Sequence, residues 1–235
     1  MRVPPLSVFK FLPEKALMVG KNLLVADLHV GFEEALVSEG HYVPKLLGNL
    51  ISSLKAVLER ERPKRLIIDG DLKHSFVPIR REKAELRAFF EGIDGLVDEV
   101  ILVRGNHDVG VLWLRELGVE IVDELDLKGW KVVHGHKLVE GERFIIGHEH
   151  PSIRLRDEVG AAVKVPAFLK GRDLVVLPAF SPWAYGNDVT REIVSPFLKK
   201  TDVLNLRILV PAGGEVLDFG ELGKLLEAMR KISRV

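Results

Sequence analysis

Short apolar runs punctuate the chain, and several of them end in a polar cluster. Residues 22–26 are almost continuously apolar, the pattern of a strand covered on both faces, and residues 65–68 and 99–103 repeat it. Ahead of them, residues 7–11 and 16–19 flank Pro13-Glu14-Lys15 and read as a hairpin. Residues 32–39 fit a short helix. Pro44 suits a first helical position, followed by an apolar stripe at Leu46, Leu47, Leu50, Ile51, Leu54, Val57 and Leu58 that stops near Arg62-Pro63. Residues 81–90 form a second amphipathic stretch. Strand and helix therefore alternate, which predicts a layered α/β arrangement with parallel strands. Beyond a short helix at 109–117 the pattern turns strand-rich, at 120–122, 126–128, 130–133, 143–146, 153–155, 161–165, 174–177 and 203–210. A helix over 221–232 closes the chain. No repeat, linker or low-complexity stretch interrupts it, so residues 1–235 are expected to form a single domain.

The polar clusters follow the apolar runs closely. They are Asp27-Leu28-His29, Gly70-Asp71-Leu72-Lys73-His74, Gly105-Asn106-His107-Asp108, His134-Gly135-His136 and Gly147-His148-Glu149-His150, and they hold seven of the eight histidines. In parallel sheets, ligands bind beyond the carboxyl ends of strands, which is where Asp27, Asp71 and Asn106 fall. Residues two apart share a face in extended chain, so Asp27 with His29, and His148 with His150, can point the same way. Imidazoles and carboxylates that converge in this manner suit a hydrolytic site built on two cations.

Composition narrows the chemistry. The chain has no cysteine, which excludes disulfides and thiolate ligands and leaves only nitrogen and oxygen donors. Its 34 basic and 34 acidic residues cancel, so no global field favours a polyanion. Lys64-Arg65, Arg80-Arg81-Glu82-Lys83 and Lys199-Lys200 read as solvated surface charge. Glutamine is absent and only three methionines occur among many charged residues, a thermophile-like composition. With no signal-peptide pattern and no apolar run near the ~20 residues of a membrane span, a cytoplasmic protein is expected.

Taken together and in order, these five motifs resemble those of the calcineurin-like metallophosphoesterases. The Gly70–His74 variant and Leu177-Pro178-Ala179-Phe180 most resemble the archaeal SbcD-related and DNA-ligase-associated members. The resemblance spans residues 27–150. It implies a four-layer α/β/β/α sandwich, two mixed sheets face to face with helices outside. It also implies two divalent ions, Mn²⁺ in the first instance, with Fe, Zn, Ni or Co as alternatives. One ion would take Asp27, His29, Asp71 and His150, and the other Asp71, Asn106, His134 and His148. His107 would face the substrate, and Asp108 would orient His107 through a hydrogen bond. The implied activity is phosphodiester hydrolysis by in-line attack of activated water, on a small phosphodiester or nucleotide.

Two other functions remain open at this level: a metal-dependent nuclease acting on DNA or RNA, and a non-catalytic scaffold on the same fold. The complete ligand set argues against the scaffold, and the balanced charge against the nuclease. Arg104, His74 and His136 are candidate substrate contacts, each with an ordinary structural reading beside it. His41 is assigned to the surface, and Trp113 and Trp130 to packing. The aromatic stretch 180–188 could stack a nucleobase or simply close the sheet. Homo-oligomerisation is left open, and no membrane partner is expected.

Overall fold

As a computed structural model, the chain is described over residues 8–77, 80–156, 162–184 and 186–232. Ser7, Ala161 and Tyr185, each part of a stretch discussed above, lie outside the described residues. The first half runs β1 (Phe9–Leu12), β2 (Ala16–Val19), β3 (Asn22–Ala26), α1 (Phe32–Ser38), α2 (Leu47–Glu61), β4 (Arg65–Asp69), α3 (Arg80–Ile93), β5 (Glu99–Val103) and β6 (Val119–Val122). The second half runs β7 (Leu125–Leu127), β8 (Trp130–Val132), β9 (Phe144–Ile146), β10 (Pro151–Arg156), β11 (Ala162–Pro166), β12 (Phe168–Lys170), β13 (Leu174–Val176) and β14 (Asn187–Asp188). It ends with α4 (Pro196–Lys199), β15 (Arg207–Ala212), β16 (Glu215–Glu221) and α5 (Leu222–Ile232).

Both large sheets are mixed. The first has the order β1-β2-β3-β4-β5-β6, antiparallel up to β3 and parallel from there on. The second has the order β16-β15-β12-β13-β9-β8-β7, with β13, β9 and β8 parallel at its centre. A small sheet, β11-β10-β14, stands beside them. The alternation of side chains explains why the central strands read as continuously apolar. Leu23, Val25, Leu66 and Ile68 pack with Leu54, Val57, Leu58, Leu86 and Phe89 of α2 and α3. Their neighbours Leu24, Ala26, Ile67, Ile101 and Val103 face Val132, Ile145, Phe168 and Val175 of the second sheet. Ile146, Leu169, Val176 and Ile208 then pack outward against Phe197, Leu198 and Leu222. The result is the expected four-layer α/β/β/α order, with each sheet covered on both faces.

Local chemistry moves several boundaries. The second helix begins at Leu47 rather than Pro44, and the Leu46 N–H just ahead of it is taken at 2.7 Å by Glu33 Oε1. It ends on Arg62, whose backbone is left-handed at φ 45°. The short helix expected over 109–117 is a 3₁₀ helix confined to residues 112–117. The strand expected over 203–210 is also corrected: residues 203–205 form a 3₁₀ turn capped by Asp202, which accepts from Leu204 N at 3.2 Å, and the strand starts at Arg207. Among the described residues, no helix is long and apolar enough to cross a membrane.

Lys15, in the turn between β1 and β2, ties the first sheet to the loop that follows β13. Its ammonium donates to the carbonyls of Phe180 at 2.9 Å and Ser181 at 3.1 Å, and no carboxylate pairs with it among the described residues. Burial lowers its pKa from 10.5 to about 8. The unfolded chain therefore holds this proton more tightly, so raising pH through that window favours the fold. Relative to a Lys15→Met variant, wild-type stability should rise between pH 8 and about 10.5 by on the order of 1–2 kcal/mol after solvent screening. Urea unfolding of both proteins at pH 7, 8, 9 and 10 checks this, and parallel pH profiles would contradict it.

Candidate metal centre

The five polar clusters are the loops that leave the carboxyl ends of β3, β4 and β5 in one sheet and β8 and β9 in the other. Because each set of strands is parallel and adjacent, the loops meet across the seam between the sheets. Backbone bonds lock the first two together. His29 N donates to Asp71 O at 2.9 Å and Val30 N to Leu72 O at 2.8 Å. Across the seam, His148 N donates to Asp27 Oδ2 at 3.1 Å, and His134 Nδ1 donates to Asp69 O at 3.1 Å.

The convergence of Asp27 with His29, and of His148 with His150, does not come from extended chain. All four residues have left-handed backbone, with φ of 56°, 49°, 62° and 46° respectively. Asp71 joins them at 46°, so five of the eight non-glycine residues in this conformation, among those described, belong to the cluster. Such residues cost about 1–3 kcal/mol each and persist only where their surroundings hold them. Gly70 is required for closeness: at φ 73°, an added Cβ would collide with the His134 ring.

Two triads of ligand atoms result. Asp27, His29 and His150 form one, Asp71, His134 and His148 the other, and within each triad the atoms lie within 4.8 Å of one another. His150 Nε2 is 3.1 Å from Asp27 Oδ1 and 3.3 Å from His29 Nε2. His134 Nε2 is 3.2 Å from Asp71 Oδ2. Asn106 Oδ1 is buried and, among the described residues, has no hydrogen-bond partner. A buried amide oxygen left unsatisfied is costly, and a cation would satisfy it. This donor set of imidazole, carboxylate and amide fits divalent transition metals.

Electrostatics point the same way. Burial pushes the Asp69 carboxyl well above its ordinary range and Asp108 up to about 6. Asp27 is held low against its burial by the charge and hydrogen bond of His150. Asp71 is held low against burial by His134 and by the N–H of His107. His134 is raised to about 10 despite its burial, because Asp71, Asp27 and Asp69 surround it. Burial instead lowers His29 to about 3 and His148 to about 4. The pocket thus sets negative charge beside His29 and His148, imidazoles kept neutral as ligation requires, whereas His134 would give up its proton to a bound cation.

The remaining predicted residues have definite places. His107 lies beside this centre, its N–H on Asp71 Oδ1 at 2.9 Å and its Nε2 3.8 Å from Asp71 Oδ2. The expected hydrogen bond from Asp108 to the His107 ring is corrected. The Asp108 carboxylate accepts from Gly105 N at 2.8 Å and Leu72 N at 3.0 Å, while His107 Nδ1 bonds the carbonyl of His74. His74 also clusters with His29 and His107. The His136 ring centroid is 5.5 Å from that of His134, at the margin. Arg104 is exposed and paired with Asp123 at 2.6 Å. His41 is exposed, and Trp130 is buried between the sheets. Phe180 closes the first sheet, its N–H on Ala26 O at 2.8 Å, whereas Trp183 stacks on Phe32 at 5.6 Å.

Two supporting residues escaped the sequence reading. Asp69 ends β4 with a wholly buried carboxyl, and its one signal was a charge closing an otherwise apolar strand. Glu149 turns away from its two histidine neighbours and accepts from Asn187 Nδ2, Val194 N and Ser195 N at 2.7, 3.0 and 2.6 Å. It thereby anchors the loop carrying His148 and His150 to the segment before α4. Only its burial between two histidines, invisible in the sequence, marks it.

Comparison with known proteins agrees with this geometry. The family model described as calcineurin-like phosphoesterase matches residues 21–206, and the chain belongs to that family. Comparison with curated proteins finds no match. Among solved structures, a nuclease MPE from Pseudomonas putida is 24% identical, with a TM-score of 0.69 over 90% of this chain and 94% of its own. The phosphoesterase Yfce from E. coli is 13% identical, with a TM-score of 0.42 over 83% of this chain and 96% of its own. The first of these likenesses speaks for the fold. A metal-dependent phosphoesterase is the class that the family and the clustered histidines and aspartates define.

Proposed function

We propose that the chain is a dinuclear metallophosphodiesterase, with one ion held by Asp27, His29, Asp71 and His150 and the other by Asp71, Asn106, His134 and His148. The observation that carries this reading is the pair of ligand triads, each built from loops of both sheets. When bound, the ions acidify water and offset charge on phosphate oxygens. Asp71, a member of the second triad, is the carboxylate to be shared. His107 presents Nε2 to the substrate, because its Nδ1 proton is committed to the His74 carbonyl. From there it donates to a phosphoryl oxygen or to the leaving oxygen. Asp108 acts as a positioning residue, holding the backbone at Gly105 and Leu72.

A nucleic-acid strand as substrate is the second reading, and one feature favours it. Aromatic rings run in a row past the centre: Phe76 on His107 at 3.8 Å, His107 beside His74 at 5.7 Å, His74 on Phe32 at 4.5 Å, and Phe32 on Trp183 at 5.6 Å. Base stacking on such rings contributes ~1–3 kcal/mol per base. The Pseudomonas putida protein of similar fold carries the name nuclease.

The test is hydrolysis by metal-stripped protein with Mn²⁺ restored, on bis-p-nitrophenyl phosphate, p-nitrophenyl phosphate, cyclic nucleotides, and single- and double-stranded DNA. The expected result is Mn²⁺-dependent turnover of diesters above the monoester, with His107→Ala slower by about 10²–10⁴-fold. Preference for single-stranded DNA would select the nuclease. Two bound ions without turnover on any substrate, whichever metal is supplied, would select the scaffold.

A further inference from the structure

Behind His107 lies a buried ion pair that no ligand or substrate contact accounts for. Lys73 and Glu82 are each 3% exposed in their side chains, and Lys73 Nζ is 3.7 Å from Glu82 Oε2. Both grip the same stretch of backbone. Glu82 Oε1 accepts from Ser75 N at 2.8 Å, and Lys73 Nζ donates to Ser75 O. Glu82 reaches this position from the first turn of α3 because Gly31, opposite, has no side chain. A Cβ there would lie 2.9 Å from Glu82 Cγ. On the other side, His74 N donates to Val30 O at 3.0 Å. The peptide joining His74 to Ser75 is therefore held at its Ser75 N–H by Glu82, and the peptides on either side of it are held at His74 N and Ser75 O. Its other group, the His74 carbonyl, meets His107 Nδ1.

We infer that Lys73 and Glu82 are positioning residues for His107, acting through the His74–Ser75 peptide to fix the ring's tautomer and aim. A carbonyl oxygen only accepts, so the ring nitrogen that meets it must carry a proton. Nε2 is then the nitrogen free to exchange a proton with the substrate. Stability alone does not call for the pair. Burying two charges costs several kcal/mol per ion, and apolar residues of similar volume are often as stable or more so. A salt bridge retained here fixes the direction of a backbone carbonyl, which a greasy contact cannot. The inference rests on the proposed role of His107.

The test compares Lys73→Met/Glu82→Leu, which removes both charges together, with His107→Ala and with the combination of all three changes. Glu82→Gln serves as a second, milder variant. The substrate is bis-p-nitrophenyl phosphate with saturating Mn²⁺. The expected result for the double variant is an unchanged thermal midpoint and Mn²⁺ stoichiometry, an unchanged KM, and kcat lower by about 10–100-fold, the scale of a misplacement near 1 Å. In the His107→Ala background the same changes should cost less than twofold. Nitrogen-15 shifts of the His107 ring should report Nδ1–H in the wild type and a tautomer mixture in the variant. A loss that multiplies with that of His107→Ala, or a double variant and Glu82→Gln both at wild-type kcat, would overturn the clamp while leaving His107 in place. Full activity in His107→Ala would overturn the role of His107 itself, and the clamp with it.

Discussion

Asp71→Asn is expected to lower Mn²⁺-restored phosphodiester turnover by about 10³-fold, the loss typical of removing one preorganised electrostatic contact at a reacting centre. The substitution is nearly isosteric, and asparagine tolerates the left-handed backbone found there, so what it removes is charge. That charge has three dependants: the His107 N–H at 2.9 Å, His134 Nε2 at 3.2 Å, and His107 Nε2 at 3.8 Å. If Asp71 is shared between two ions, both stoichiometries should fall in titration calorimetry, where the loss of an unshared ligand would weaken only one. The imidazole of His134, raised to about 10 chiefly by the Asp71 hydrogen bond working against burial, should titrate at lower pH in the metal-free variant. Metal-free Asp71→Asn should still fold, because Asp27, Asp69 and Asp108 lose a like-charged neighbour. Turnover within tenfold of wild type would remove Asp71 from the centre of the proposal.

The first half of the fold is legible because its strands are covered on both faces. In β3 and β4 the helix-facing and sheet-facing positions are both apolar, so the runs stand out, and the residues that follow them are those the loops bring together. The second half hides its elements. The described part of β16 has no buried position in the pattern, so no apolar alternation announces it. Its one signal was Gly213-Gly214, a pair with left-handed φ of 59° and 85° that suits a two-residue hairpin turn. The three residues of β12 are too few for periodicity to show. Asp202 broke the expected strand over 203–210 by capturing an N–H, a local competition that apolar pattern does not reveal.

Within the site, residue identity was more legible than residue role. The sequence placed Asp27 and His29 on one face of extended chain, whereas the backbone delivers them through two left-handed residues separated by one other. It assigned Asp108 to the His107 ring, but both carboxylate oxygens hold backbone amides and the ring is turned by a carbonyl from the β4 loop. Hydrogen bonds to backbone leave no trace in residue type, and this is why Glu149 and Lys73 were passed over and why Glu82, which is buried, was read as solvated surface charge.

Gly105→Ala should be as damaging as the loss of a ligand, although no ligand is touched. An alanine Cβ at this position would press on Asp71 Oδ1, with Asp71 N at 2.5 Å and Cγ at 3.0 Å. Gly105 is absent from the left-handed residues, so its backbone conformation is not what forbids the methyl group. The obstacle is space between two adjacent strand-end loops. Relief requires the β5 loop to move away from Asp71, which would break the bond from His107 N to Asp71 Oδ1 and disturb the Gly105 N–H on Asp108 Oδ2. Activity should drop by about 10²-fold or more, and stability by about 1–3 kcal/mol, the usual cost of overpacking. Gly48→Ala is the matched control, the same chemical change in α2 with nothing within 4 Å of the added atom. It should stabilise by about 0.5–1 kcal/mol and leave turnover unchanged. Urea unfolding and bis-p-nitrophenyl phosphate hydrolysis on the pair separate steric displacement of the centre from any general effect of added carbon. If Gly105→Ala keeps wild-type turnover, the β5 loop and Asp71 need not stay in contact for catalysis, and the proposed coupling of His107 to the shared carboxylate fails.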